Sequence, residues 1–208
     1  VPLSPRPSKI VCIGRNYVDH AKELGNDVPS ELLFFLKPPS SLIGNGDQIV
    51  LPAQSARVEF EGEIGLIIGA RLRNASESEA ARAVRSVVAL NDVTARDLQL
   101  KDSQWTRAKG FDTFCAVGEP APAPADLGSL EIVTRLNGVE RQRGRADQMH
   151  FPIAFALSYI SRIMTLEPGD LIATGTPAGV APLSSGDEIE VEISGLSRVV
   201  NRVQGQQQ

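Results

Sequence analysis

Arg57-Val58-Glu59-Phe60-Glu61-Gly62-Glu63-Ile64-Gly65-Leu66-Ile67-Ile68-Gly69 is rich in β-branched and apolar residues and ends in glycine, the composition of a strand. Side chains on a strand alternate between faces. The odd-numbered face opens with Glu59, Glu61 and Glu63 and continues into Gly65 and Ile67, while Phe60, Ile64, Leu66 and Ile68 share the other. The run from Ile64 to Gly69 suggests burial on both faces further along. One reading is an amphipathic strand with a wetted acidic face. The other starts from repulsion. Carboxylates two residues apart lie about 6.6–7 Å apart at the backbone, and like charges so placed repel unless a cation lies between them or their pKa values shift. Two such side chains can converge on one hard divalent ion, which takes carboxylate oxygens at about 2.0–2.1 Å if it is magnesium. Glu61 and Glu63 are the pair chosen. Glu59, nearest the strand start, is expected to face solvent.

Before this strand, Lys9–Gly14, Glu31–Lys37 and Asp47–Pro52 have the composition of strands, the second closed by a double proline. Between the first two, Asn16 or Asp19 could cap a short helix that Gly25 ends. His20 and Glu23 then share a face, either as a solvated pair or as a working one. After it, Ser76-Glu77-Ser78-Glu79 carries a capping box, and Ala80, Val84 and Val87 continue at helical spacing. Asp92 follows the apolar run 87–90, a good place for a third ligand. Asp97 is expected to pair with Arg96 or to act as a cap. Lys109, beside the single tryptophan Trp105, either reaches for solvent or supplies a fixed positive charge to an anion.

Further on, 120–124 reads as a surface loop, and 130–145 as a hairpin turning at Asn137-Gly138. A helix is expected over 153–164, a turn over 167–170, a strand over 171–173 and a last strand over 189–193. Thr174-Gly175-Thr176-Pro177-Ala178-Gly179 is either an ordinary tight turn or a loop offering N–H groups and hydroxyls to an anion. Residues 1–8 are expected to form an arm and 204–208 a disordered tail.

With 208 residues, one domain is expected. The balance of 21 basic and 25 acidic residues gives a net charge of −4, and no basic stripe suggests nucleic-acid binding. Cys12 and Cys115 form no CxxC motif and are expected to be reduced core residues. No apolar run is long enough to span a membrane, and a soluble, cytoplasmic protein is expected. The 18 glycines and 14 prolines favour a β-rich fold. Dinucleotide, phosphate-loop, HExxH and GxSxG motifs are absent. With only two histidines, carboxylate ligation favours Mg2+ or Mn2+ over zinc.

Gly14-Arg15-Asn16-Tyr17 with His20 and Glu23, Phe35-Leu36-Lys37-Pro38, Glu61-Gly62-Glu63-Ile64, Asn91–Asp97, Lys109-Gly110-Phe111-Asp112 and Thr174-Gly175-Thr176-Pro177 occur in this order. With them the chain resembles the fumarylacetoacetate hydrolase family, specifically its short single-domain members. The resemblance runs from about Lys9 to Val203. It implies an α+β, β-rich fold, a mixed β-sandwich roll with a few short helices, in one catalytic domain over 9–203 of a homodimer. It implies Mg2+ or Mn2+ held by Glu61, Glu63 and Asp92, a catalytic lid dyad of His20 and Glu23, and a substrate-contacting catalytic Lys109. Thr176 and Gln99 are implied as pocket residues. Arg15, Ser40 and Trp105 are candidates for the distal end.

The implied activity is divalent-metal-dependent cleavage of a C–C bond in a small 2-oxo acid through an enolate. This would be acylpyruvate hydrolysis to pyruvate and a carboxylic acid, with oxaloacetate decarboxylation at the same site. The alternatives are isomerisation or decarboxylation of a 2-hydroxymuconate-type diacid, and a non-catalytic metal-stabilised binding module.

Overall fold

Gly62–Ile68 lies near the middle of an eight-stranded sheet, between Leu171–Ala173 and Val84–Asp92 and antiparallel to both. The structure is a computed structural model that describes residues 3–25 and 27–205. From one edge the sheet runs Leu33–Lys37, Ile10–Gly14, Leu171–Ala173, Gly62–Ile68, Val84–Asp92, Cys115–Val117 and Leu42–Ile43, with Ala121–Pro122 also pairing with Val84–Asp92. A five-stranded sheet packs against it, in the order Val139–Arg145, Glu131–Leu136, Glu188–Ile193, Ser197–Gln204 and Gln48–Val50. The expected β-rich α+β architecture is what the chain adopts.

The alternation expected for the central strand holds inside it. Ile64, Leu66 and Ile68 enter the main core, which Ile132, Val191 and Leu157 also build from the second sheet and a helix. Ile67 faces a smaller core with Ile10, Cys12, Leu42, Val88 and Leu90. All of these belong to the same sheet, so the sheet curls and packs on itself. Leu3, from the N-terminal segment, closes this core. Cys12 and Cys115 are buried and unpaired there. Burial pushes the Cys115 thiol up to about 12, which makes it inert.

The helix Ile153–Ile163 buries Ile153, Ala156, Leu157 and Ile160, one apolar stripe. Asn137 and Gly138 both have positive φ, 52° and 77°, as a two-residue hairpin turn requires.

Five expectations are corrected. The capping box at Ser76 and Glu79 forms, but its helix ends at Arg82. Val84 and Val87 belong to the following strand, where pairing with Gly62–Ile68 overrides helical spacing. The expected loop at 120–124 contributes the short strand Ala121–Pro122. A strand the sequence reading omitted, Ser197–Gln204, follows the hairpin partner Glu188–Ile193. Its buried positions include the polar Ser197 and Asn201, which hid the alternation. Ser197 Oγ donates to the Glu119 carbonyl, and Asn201 Nδ2 donates to those of Gly44 and Asp47. Gln204 is therefore ordered in a strand, and Gly205 N–H bonds Ser185 Oγ. The rest of the expected tail, 206–208, lies outside the described residues, as do residues 1–2 of the arm. The helix Val18–Glu23 has no side-chain cap. Asn16 instead donates to the carbonyls of Thr174 and Phe151, tying the first strand to the 174–180 loop. Among the described residues no helix is long and apolar enough to cross a membrane.

Candidate active site

The acidic stretch is not one continuous strand. Val58–Glu59 pairs with Thr94–Ala95 in a separate two-stranded ribbon, and the main strand starts at Gly62. In the break, Phe60 turns into a third apolar cluster with Val58, Val93 and Phe114. Glu61 N–H donates to Asn91 Oδ1 at 3.0 Å, and Asp92 N–H donates to the Glu61 carbonyl at 2.8 Å. These bonds stitch Glu61 to the end of Val84–Asp92. Carboxylate oxygens of Glu61, Glu63 and Asp92 thereby lie within 4.8 Å of one another, and all three side chains are buried. The wetted-face reading fails here, and so does the expectation for Glu59. It is fully buried, bonded by Arg57 and by Arg96 Nε at 2.7 Å.

Three buried cations serve these four carboxylates. Lys37 Nζ donates to Asp92 Oδ1 at 2.6 Å. Lys109 Nζ bridges Glu61 Oε2 and Asp92 Oδ2, both at 2.7 Å. Arg96 bonds Glu59 and, at 2.6 Å, Glu61 Oε1. Glu63 is left with a single backbone donor, Gly175 N–H at 2.7 Å. Burial, with the charges of Asp92 and Glu61 beside it, pushes the Glu63 carboxyl well above its usual range. Burial acts on Glu61 in the same sense, but Lys109 and Arg96 outweigh it and hold Glu61 below its usual range. Among the buried side chains there is one cation fewer than carboxylates, the half-exposed Arg57 on Glu59 being the fourth, and among the described residues Glu63 is the carboxylate with no cation bonded to it. A hard divalent cation fits this oxygen-only donor set. It would leave the floor with a small positive excess, suited to an anionic ligand.

Lys109 is therefore not reaching for solvent. Two of its three N–H donors are spent on carboxylates, and among the described residues the third has no hydrogen-bond partner. Arg96 does not pair with Asp97, which instead accepts from Ser55 Oγ and Ala56 N–H.

The floor opens into a cavity of about 320 Å³. His20 is buried in its wall, which excludes the solvated-pair reading. Its Nδ1 lies 3.1 Å from Glu23 Oε2. Glu23 also accepts from Gly179 N–H at 3.0 Å, closing the short helix onto the 174–180 loop. Among the described residues His20 Nε2 has no protein partner. Arg15, Gln99, Trp105 and Thr176 all line the cavity. The Thr176 hydroxyl donates to the Gly62 carbonyl and accepts from Gln142 Nε2, so its proton is committed to the scaffold. Ser40 lies exposed in the turn Pro39–Ser41 and does not line the cavity.

Sequence reasoning gave no role to Lys37 or Gln142, and gave Arg96 only a pairing with Asp97. Lys37 had a signal, a lysine at the end of an apolar strand before two prolines. Gln142 had none. It reaches from the second sheet to Gly62 N–H and the Pro177 carbonyl.

Residues 9–204 match the family model described as fumarylacetoacetate (FAA) hydrolase C-terminal. The chain belongs to the fumarylacetoacetate hydrolase family. Among family members, the chain is 43% identical over 195 residues to the mitochondrial oxaloacetate decarboxylase of Dictyostelium discoideum, covering 90% of this chain and 89% of that protein. It is 43% identical over 198 residues to the mitochondrial oxaloacetate tautomerase FAHD1 of Arabidopsis thaliana, covering 92% and 89% respectively. The crystal structure of fumarylpyruvate hydrolase from Pseudomonas aeruginosa in complex with Mn2+ and pyruvate superposes with a TM-score of 0.90. The identity is 31%, over 96% of this chain and 91% of that one. The family fold is thus shared ground, while the reactions these relatives are named for differ.

Proposed function

We propose that this family member acts on a small 2-oxo acid, with Mg2+ or Mn2+ held by Glu61, Glu63 and Asp92, and breaks the C3–C4 bond to release pyruvate. The observation that carries this reading is the buried carboxylate floor that shares its cavity with His20, where among the described residues Glu63 has no cation bonded to it. When bound, the cation supplies Lewis-acid stabilisation for the charge that develops on the 2-oxo oxygen. Lys109 adds a fixed positive charge and one free donor, an electrostatic and positioning role.

For an acylpyruvate, His20 Nε2 takes a proton from water as the water oxygen bonds to the distal carbonyl carbon. The C3–C4 electron pair passes to the pyruvate fragment as its enolate, and the His20 proton returns to C3. Glu23 holds the ring and keeps Nδ1 protonated. A purely structural ion site would be closed, whereas these carboxylates floor an open cavity.

Oxaloacetate decarboxylation or tautomerisation needs the same stabilised enolate but no attacking water. The decarboxylase and tautomerase at 43% identity favour this as the second reading.

Product analysis by NMR separates them. With acetylpyruvate, pyruvate and acetate are expected with Mg2+ and not with chelator. His20→Ala is expected to lower this hydrolysis by about 10²–10⁴-fold while costing oxaloacetate decarboxylation less. Equal losses would remove the water-activating role from His20. Inert acetylpyruvate with active oxaloacetate would favour the second reading.

A further inference from the structure

The strand Val139–Arg145 carries a bulge. Thr134 pairs with Gln142 but Arg135 pairs with Glu140, so Arg141 is an extra residue. Strict alternation would set Glu140 on the same face as Gln142 and Gly144. With the bulge, Glu140 stays exposed and bonds Arg143, while Gln142 and Gly144 turn inward. Bulges re-aim side chains and are common beside active sites.

The re-aimed Gln142 is buried between the start of the central strand and the 174–180 loop. Its Oε1 accepts from Gly62 N–H at 3.0 Å, and its Nε2 donates to Thr176 Oγ1 and to the Pro177 carbonyl, both at 2.7 Å. Thr176 Oγ1 donates to the Gly62 carbonyl at 2.9 Å, which closes a ring of hydrogen bonds. Turning the amide over would set donor against donor at Gly62 and acceptor against acceptor at Pro177, so one orientation is fixed. The backbone is shaped for the contact. A Cβ on Gly62 would meet Thr134 Oγ1 at 1.9 Å, and one on Gly179 would meet the carbonyl oxygen of the bulge residue Arg141, also at 1.9 Å. The loop held this way delivers two N–H groups to the cavity, Gly175 to Glu63 and Gly179 to Glu23.

We propose that Gln142 is a positioning residue of this site. It locks the 174–180 loop to the start of the central strand and so sets the Gly175 N–H on Glu63 and the Gly179 N–H on Glu23. The inference rests on the metal-dependent reading above only for its effect on ion affinity. Groups that hydrogen-bond a ligating carboxylate orient it toward the ion, and the orientation of Glu63 passes through this loop.

The test measures amide hydrogen exchange by NMR with Mg2+ present, in the wild type, Gln142→Met, Gln142→Glu and Ile132→Val. Ile132→Val thins the core beside the same hairpin without touching the loop. The quantity read is the exchange rate at Gly175 and Gly179 relative to the strand Glu188–Ile193. Gln142→Met is expected to raise this ratio by about tenfold, the scale of the hydrogen bonds lost, and Ile132→Val is expected not to raise it. Gln142→Glu keeps the acceptor for Gly62 and at most one of the two donors, so it is expected to fall between. Mn2+ affinity, followed by electron paramagnetic resonance, is expected to weaken by about tenfold or more in Gln142→Met and to stay unchanged in Ile132→Val. Loop and strand amides speeding up together in Gln142→Met, or Mn2+ affinity unchanged there, overturns the assignment and leaves the metal reading standing. A wild type that binds no Mn2+ overturns the metal reading, and the exchange ratio then decides whether Gln142 holds the loop.

Discussion

On the solvent side of the five-stranded sheet, Arg135 bonds Glu190 at 2.5 Å and Glu192 at 2.8 Å, and Arg198 also reaches Glu190. On the cavity floor, Glu59, Glu61, Glu63 and Asp92 meet Lys37, Arg96 and Lys109 at similar distances. Both are carboxylate–cation pairs with comparable bond lengths. What differs is water. The surface groups keep much of their hydration and are screened by salt. The floor groups have lost theirs, so each must be matched by a specific partner. Only on the floor is a buried carboxylate left without a cation bonded to it among the described residues. Glu63 has one backbone N–H and no cation, and that imbalance makes room for a divalent ion.

The largest effect expected from this contrast is at Glu61. Glu61→Gln removes a ligand oxygen's charge and equalises the buried charges that remain. The variant should stay folded, because repulsion on Glu63 falls. It should lose divalent-ion binding, seen by electron paramagnetic resonance during Mn2+ titration, and its turnover should fall to background. Retained Mn2+ affinity would remove Glu61 from the ligand set and place the bound ion on other groups.

Lys37→Met tests the same balance from the opposite side. It leaves Asp92 Oδ1 without its buried partner, a change that costs about 3–5 kcal/mol. Added Mn2+ should then raise the melting temperature more in the variant than in the wild type, because binding to the native state stabilises it and the floor is more negative. An equal rise in both would show Lys37 to be uncoupled from the ion site.

Much of this floor was legible in the sequence. Acids alternating with apolar residues placed Glu61 and Glu63 together, and an aspartate closing an apolar run gave Asp92. Those signals are local, set by strand period and by where a core strand ends. The same local rule failed at Glu59, because the chain breaks at Phe60 and pairs with Thr94–Ala95, contacts remote in sequence. Lys37 and Arg96 were missed for a related reason. A cation looks like surface until the fold brings buried acids to it, and their partners lie 55 residues away for Lys37 and 35–37 for Arg96. The last strand was hidden by Ser197 and Asn201, polar groups whose burial depends on carbonyls elsewhere in the fold. His20 and Glu23 showed their spacing in the sequence, but only the fold, which buries His20 and brings Gly179 N–H to Glu23, separates a buried dyad from a solvated one.

The smallest effect should come from the surface. The Arg198 side chain is 59% exposed, and Glu190 keeps Arg135 when it is removed. Arg198→Ala should therefore cost at most about 1 kcal/mol, measured by denaturant unfolding, with Mn2+ binding unchanged. The effect should also fade in high salt, since the Debye length shrinks to about 3 Å at 1 M. The loss at Lys37 should persist there, because ions do not enter the space between Lys37 and Asp92. If both losses faded alike, hydration would not be what separates the two regions, and the charge deficit at Glu63 would lose its physical basis.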